Sequence, residues 1–225
     1  MTAATASAWV RWLLLDDQVV LLDLRADCYW SLIGEAALSW LAVVDGRAPS
    51  ARPYAEEPIP EATFRSHCDN FAQQQWTTGA GAVRTPDIVP ASLRGAKLGS
   101  LFPLTLRALR VIRQTSRTLY GQGLYEAYRL AIDTPLAERA VPMSRALEAF
   151  LRAENAWAYR SAPQDCLPRS LALFRFLLKS GQRADHVIGV RGSPFSAHAW
   201  VEVNGARLFD GQDRNFTAIA RIVRQ

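Results

Sequence analysis

Near residue 181 the chain changes its period. Leu167, Leu171, Phe174 and Leu178 recur at spacings of four, three and four, which draws one apolar helical face. Ser180-Gly181 stops that helix. Residues 184–190 and 197–203 then read as strands, Asn204-Gly205 as a two-residue hairpin turn, and residues 206–210 as the returning strand. A helix that feeds directly into a β-hairpin restricts this half of the chain to an α+β fold.

The start of that helix carries chemistry. Asp165 is a natural N-cap, and Pro168 is tolerated because first-turn amides have no intrahelical acceptor to lose. Cys166 therefore stands where free amides and the helix dipole favour a thiolate. In the strand over 197–203, alternation puts His198, Trp200 and Glu202 on one face and Ala197, Ala199, Val201 and Val203 on the other. Asp210 ends the next strand. A relay in which an imidazole takes a thiol proton and a carboxylate orients the imidazole needs these three parts. Each residue alone has a plainer account: a buried small hydrophobe, a structural histidine, and an acid opening the turn Gly211-Gln212-Asp213. Their occurrence together on a helix start and a following hairpin favours the relay.

Composition bounds the alternatives. With 225 residues and 49% apolar content, there is room for a packed core in one large or two small domains. No apolar run is long enough to span a bilayer, and the first residues lack the basic and apolar regions of a signal peptide. Cys28, Cys68 and Cys166 form no CxxC and no zinc-type Cys/His spacing, so no metal site is expected and a reduced, cytoplasmic setting fits best. Residues 1–90 hold 6 Arg against 11 Asp or Glu, a net of −5. Residues 91–225 hold 20 Lys or Arg against 10 Asp or Glu, a net of +10. Such a split suggests two domains, or a basic half with an acidic partner. Only two of the cations are lysine, and no nucleic-acid motif accompanies them.

The acidic half begins with three short strand-like segments, 9–15, 19–24 and 28–32, separated by Asp16-Asp17 and Arg25-Ala26-Asp27. A helix over 34–44 follows, and Asp45-Gly46 stops it. The proline-bearing stretch 47–60 reads as loop, 61–76 as another helix, and 77–90 as the approach to a domain boundary. The basic half opens with helices over 101–120, 124–132 and 144–157. Arg107, Arg110, Arg113 and Arg117 line one face of the first, either solvated or as a dock for an acidic partner. Residues 218–223 fit a helix or a strand equally well.

The segments Cys166-Leu167-Pro168-Arg169-Ser170-Leu171-Ala172-Leu173, Val187-Ile188-Gly189-Val190-Arg191 and Pro194-Phe195-Ser196-Ala197-His198-Ala199-Trp200-Val201-Glu202 resemble the B protein of lasso-peptide biosynthesis. That resemblance covers about residues 140–215. It implies a papain-related, transglutaminase-like cysteine protease domain over 86–225, which removes the leader from a ribosomally made precursor before macrolactam formation. The family's roles fall on Cys166, His198 and Asp210, with Asp213 close behind as the neighbouring acid. Gln164 is the candidate second oxyanion donor beside the Cys166 amide.

More loosely, Asp23-Leu24-Arg25, Tyr29-Trp30-Ser31-Leu32 and Gly34-Glu35-Ala36-Ala37 resemble the winged-helix-like precursor-recognition element of peptide-modifying systems. This implies a leader-binding domain over 1–85, a three-stranded meander plus helices, in which the leader adds to the third strand and packs on the last helix. Cys28, Tyr29, Trp30, Ser31, Leu32, Phe64 and Arg65 are its candidate contacts. The implied partners are the leader of a lasso precursor and an asparagine-synthetase-like, ATP-dependent cyclase. Neither nucleic acid nor membrane is among the expected partners. The chain holds no glycine-rich phosphate loop and no cofactor of its own is expected, so any ATP dependence would come through the cyclase. Two other readings share these residues: a transglutaminase or acyltransferase using the same triad, and a non-catalytic peptide-binding escort for the cyclase.

Overall fold

The computed structural model describes residues 9–15, 17–44, 98–158, 166–192, 195–209 and 215–223. Within them the chain is mixed helix and strand, and its packing divides it into two units. One holds Met1–Val83 with Val190–Ser196, and the other holds Arg84–Gly189 with Ala197–Gln225.

In the first unit, β1 (Val10–Leu15), β2 (Gln18–Asp23) and β3 (Cys28–Ile33) form an antiparallel meander in the order β1-β2-β3. The β2–β3 turn is built by Asp23, whose carboxylate accepts from the amides of Arg25 and Ala26 at 2.8 and 3.0 Å. Gly34 then takes φ +55° and starts α1 (Gly34–Val44). Val19, Leu21 and Ala37 form the centre of this unit's core, with Val10, Trp12, Trp30, Leu32, Trp40 and Leu41 packed around them. The helix expected over 61–76, the proline-bearing loop and the boundary region lie outside the described residues.

The second unit pairs a helical layer with a four-stranded sheet. Its described helices are α2 (Leu98–Gln122), α3 (Leu124–Ile132), α4 (Met143–Ala158) and α5 (Cys166–Lys179). Its strands are β4 (Asp185–Arg191), β5 (Ser196–Val203), β6 (Ala206–Leu208) and β7 (Thr217–Ile222), ordered β6-β5-β4-β7. The last segment, which the sequence leaves between helix and strand, is thus a strand. Apolar stripes bring α2 against α3, α4 and α5.

Helix α5 is more deeply placed than its single apolar stripe suggests. Every residue from Ser170 to Leu178 is buried, including Arg175 at 1% exposure. The guanidinium is accommodated by three neutral oxygens: Thr134 Oγ1 at 3.0 Å, Thr115 Oγ1 at 2.7 Å and Gln114 Oε1 at 3.0 Å. Burial still depresses its pKa to about 10.

The far end of α5 is closed by a Schellman motif. The Gly181 amide donates to Leu178 O at 3.0 Å and the Gln182 amide to Leu177 O at 2.9 Å, with Gly181 at φ +71°. The segment after α3 binds the same end, through Ala137 N to Leu178 O and Val141 N to Ser180 O. A helix held at its end in this way fixes the position of its first residue.

Candidate active site

Cys166 is the first residue of α5, half-buried and free of any disulfide. His198 lies on β5, the strand between β6 and β4. The two line one cavity of about 40 Å³ together with Arg169, Ser170, Leu173, Ala199, Trp200, Val201, Leu208 and Phe209. Helix start and hairpin therefore meet at one wall, as a thiol–imidazole pair requires.

The imidazole is held from its own strand. Its ring stacks on Trp200 at 5.9 Å between centroids with 19° between planes, and Phe216 stands 5.4 Å away. Trp200 is fixed in turn, because its Nε1 donates to Glu202 Oε1 at 2.7 Å. Arg207 lies over the indole at 3.8 Å from the ring centroid. Arg221 bridges Glu202 Oε2 at 2.7 Å and Asp185 Oδ2 at 3.2 Å. Burial raises the pKa of Glu202, but hydrogen bonds from Trp200 and Arg221 and the charges of Arg221 and Arg207 outweigh it, so the carboxyl is held below its ordinary value. Strand alternation had already placed His198, Trp200 and Glu202 on one face.

Behind Cys166, one helical turn along, Ser170 Oγ donates to Leu167 O at 3.1 Å and meets His186 Nε2 at 2.9 Å. With its only proton engaged, the hydroxyl accepts from His186 Nε2–H. His186 is wholly buried against Tyr128 and Phe174, and burial depresses its pKa to about 3. Arg169 makes a two-pronged pair with Glu154 of α4, through Nε to Oε1 and Nη2 to Oε2 at 3.1 Å. Its guanidinium also lies 5.5 Å from the Phe209 ring centroid.

Sequence reasoning did not single out Ser170, Arg169 or Phe209 as parts of this wall, nor His186 buried behind it. The four-residue spacing from Cys166 to Ser170 was a legible sign for the first. Strand β6 stops at Leu208, two residues before Asp210 rather than at it. The reason is Phe209, whose φ of 52° lies in the left-handed region, where an extended strand cannot continue. Asp210, Asp213 and Gln164 lie outside the described residues, as do Phe64 and Arg65.

Cys28, Tyr29, Trp30, Ser31 and Leu32 all lie on β3, which pairs with β2 and with no other strand among the described residues. Trp30 and Leu32 are partly buried and pack against the core of the first unit. Ser31 is exposed and its hydroxyl donates to Gln18 Oε1.

Among the described residues, no helix is long and apolar enough to cross a membrane. No solved structure matches the chain. The Microcin J25-processing protein McjB of Escherichia coli is 50% identical over 46 residues, which cover 20% of this chain and 22% of that protein. The match thus spans about a fifth of the length of that curated relative. The model of the Transglutaminase-like superfamily matches residues 101–221, more than half of the chain and nearly all of the helical layer and four-stranded sheet. The chain belongs to the transglutaminase-like superfamily.

Proposed function

We propose that this protein is a cysteine endopeptidase that binds the leader of a lasso-peptide precursor and removes it before macrolactam formation. The observation that carries the reading is the common cavity of Cys166 and His198 inside a transglutaminase-like domain. The partial identity to a microcin-processing protein supports the peptide class.

In this mechanism His198 takes the Sγ proton and Cys166 attacks the carbonyl carbon of the leader's last residue. The tetrahedral oxyanion is held by the Cys166 amide, with Gln164 as second donor. As the C–N bond breaks, His198 returns the proton to the departing core amine. Water, deprotonated by His198, then releases the leader acid from the thioester. Asp210 orients the imidazole. The first domain, residues 1–85, holds the leader as an added strand on β3, and the domain boundary near residue 85 delivers the junction to the thiol. Tethering of this kind raises the effective concentration of a weakly bound scissile site. The freed core amine is the group that an ATP-dependent cyclase would close into the macrolactam.

The test is mass spectrometry of a lasso precursor incubated with the protein and with Cys166→Ala. Free leader acid and free core are expected from the former, and intact precursor from the latter. Leader removal by Cys166→Ala, or a leader transferred to an added amine in place of a free acid, overturns the reading.

A further inference from the structure

A second cavity in the second unit lies away from Cys166, between α2, the segment after α3 and the end of α5. It measures about 330 Å³ and is lined by Arg107, Arg110, Val111, Gln114, Pro135, Ala137 and Lys179. Every polar side chain in that lining presents a donor. Three are cations, and none of the lining residues is a carboxylate. Arg107 Nη1 donates to Lys179 O at 3.4 Å across the mouth. This occupies the helix-end carbonyl, the acceptor that the wall would otherwise offer.

Gln114 is the fourth polar residue, and its orientation is set from below. Its Oε1 accepts from Arg175 Nη2, which leaves the amide nitrogen as the end free to donate. Arg175 is 1% exposed and bonded to three neutral oxygens, with no carboxylate partner among the described residues. A buried cation compensated only by dipoles favours an anion nearby. So the cavity has three cations at its rim and a fourth behind its wall.

Ala137 and Val141 are tied to the end of α5 by backbone hydrogen bonds to Leu178 O and Ser180 O. A Cβ at Gly181 would stand 2.7 Å from Ala140 Cα and Arg139 O. The floor is apolar, made by Val111, Pro135 and Ala137, so an organic anion fits better than a bare one. The lining offers no aromatic ring to stack a base and no glycine loop to wrap a phosphate. Arg107 and Arg110 are three residues apart on α2, and Arg117 extends the same exposed row. That arrangement suits a ligand with more than one carboxylate.

We propose that this cavity is a second binding site, separate from the cysteine cavity, which takes the carboxylate side chains of an acidic peptide segment flanked by apolar residues. Rim cations supply the charge, Gln114 and Arg107 the direction, and the floor the apolar contact.

The experiment is fluorescence anisotropy of the full chain with a fluorescein-labelled hexapeptide of alternating Glu and Leu, and with its Gln–Leu counterpart. The Glu peptide binds, and the Gln peptide binds at least about tenfold more weakly. Arg110→Glu, an exposed change, and Lys179→Gln each weaken the Glu peptide by about tenfold or more. Arg129→Glu makes the same charge change on α3, away from the cavity, and shifts binding by less than about twofold. Equal binding of the two peptides, an equal loss in Arg129→Glu, or displacement of the peptide by inorganic phosphate at lower concentration than by free glutamate-containing peptide overturns the proposal. Circular dichroism of each variant separates loss of binding from loss of fold.

Discussion

Gly189 on β4 leaves the space that the Trp200 indole of β5 fills. A Cβ at position 189 would stand 2.6 Å from Trp200 Cη2 and 2.7 Å from Cζ3, and 3.1 Å from Phe216 Cβ. Trp200 and Phe216 both lie against His198. One absent methyl group thus sets where the imidazole sits.

Gly189→Ala therefore moves the indole, since neither backbone can give way. The expected cost is about 1–3 kcal/mol of stability, the usual range for overpacking. If the chain cleaves a leader as proposed, that rate falls as well, because His198 loses its stacking surface. Thermal melting and the cleavage rate check both, and Trp200→Phe in the Gly189→Ala background restores room and regains stability relative to the single variant.

Glu202 joins the site to the rest of the sheet through Trp200 and Arg221. Glu202→Leu removes both hydrogen bonds and leaves the buried Trp200 Nε1 without its acceptor, for a loss of about 1–3 kcal/mol. Glu202→Gln keeps an acceptor for Trp200 and loses mainly the charge pair, whose worth is small because Arg221 is 37% exposed. Denaturant unfolding of the two variants should rank Leu well below Gln.

His186 makes stability depend on pH. Its pKa is about 3 in the folded chain, below the ordinary histidine value, so the unfolded chain binds the extra proton first. Stability is full above the ordinary value and falls as pH drops from about 6.5 toward about 3, by about 1.4 kcal/mol per pH unit. The window between about pH 6.5 and about pH 5 lies above most carboxylate titrations. Unfolding free energies measured across it should slope in the parent chain and flatten in His186→Gln.

If the leader adds to β3, main-chain groups on the side of that strand facing away from β2 carry the binding. Proline placed singly at 29, 30, 31 and 32 removes one amide each time, and alternate amides point to alternate sides. Leader affinity should fall by about tenfold or more at one alternate pair of positions, with β-sheet circular dichroism retained. Equal leader affinity at all four would place the leader elsewhere.

Local pattern was enough for much of this molecule. The helical spacing of Leu167, Leu171, Phe174 and Leu178 marked α5, the Asn204-Gly205 turn marked the β5–β6 hairpin, and strand alternation set His198, Trp200 and Glu202 side by side. These follow from torsions and periodicities that span a few residues. The resemblance to a peptide-processing family pointed to the same cysteine and histidine, which the fold brings to one cavity.

The burial of Arg175 and His186 was not legible, because charged and polar residues usually lie outside and each is held in by partners far along the chain, 60 residues away for Thr115 and 16 for Ser170. The left-handed turn at Phe209 runs against the habit of bulky side chains. The donor-lined cavity joins Arg107 to Lys179 across 72 residues. Neighbour-to-neighbour preferences decide which elements form. Only packing decides which of their faces meet, because the space around a buried group is set by every element that borders it.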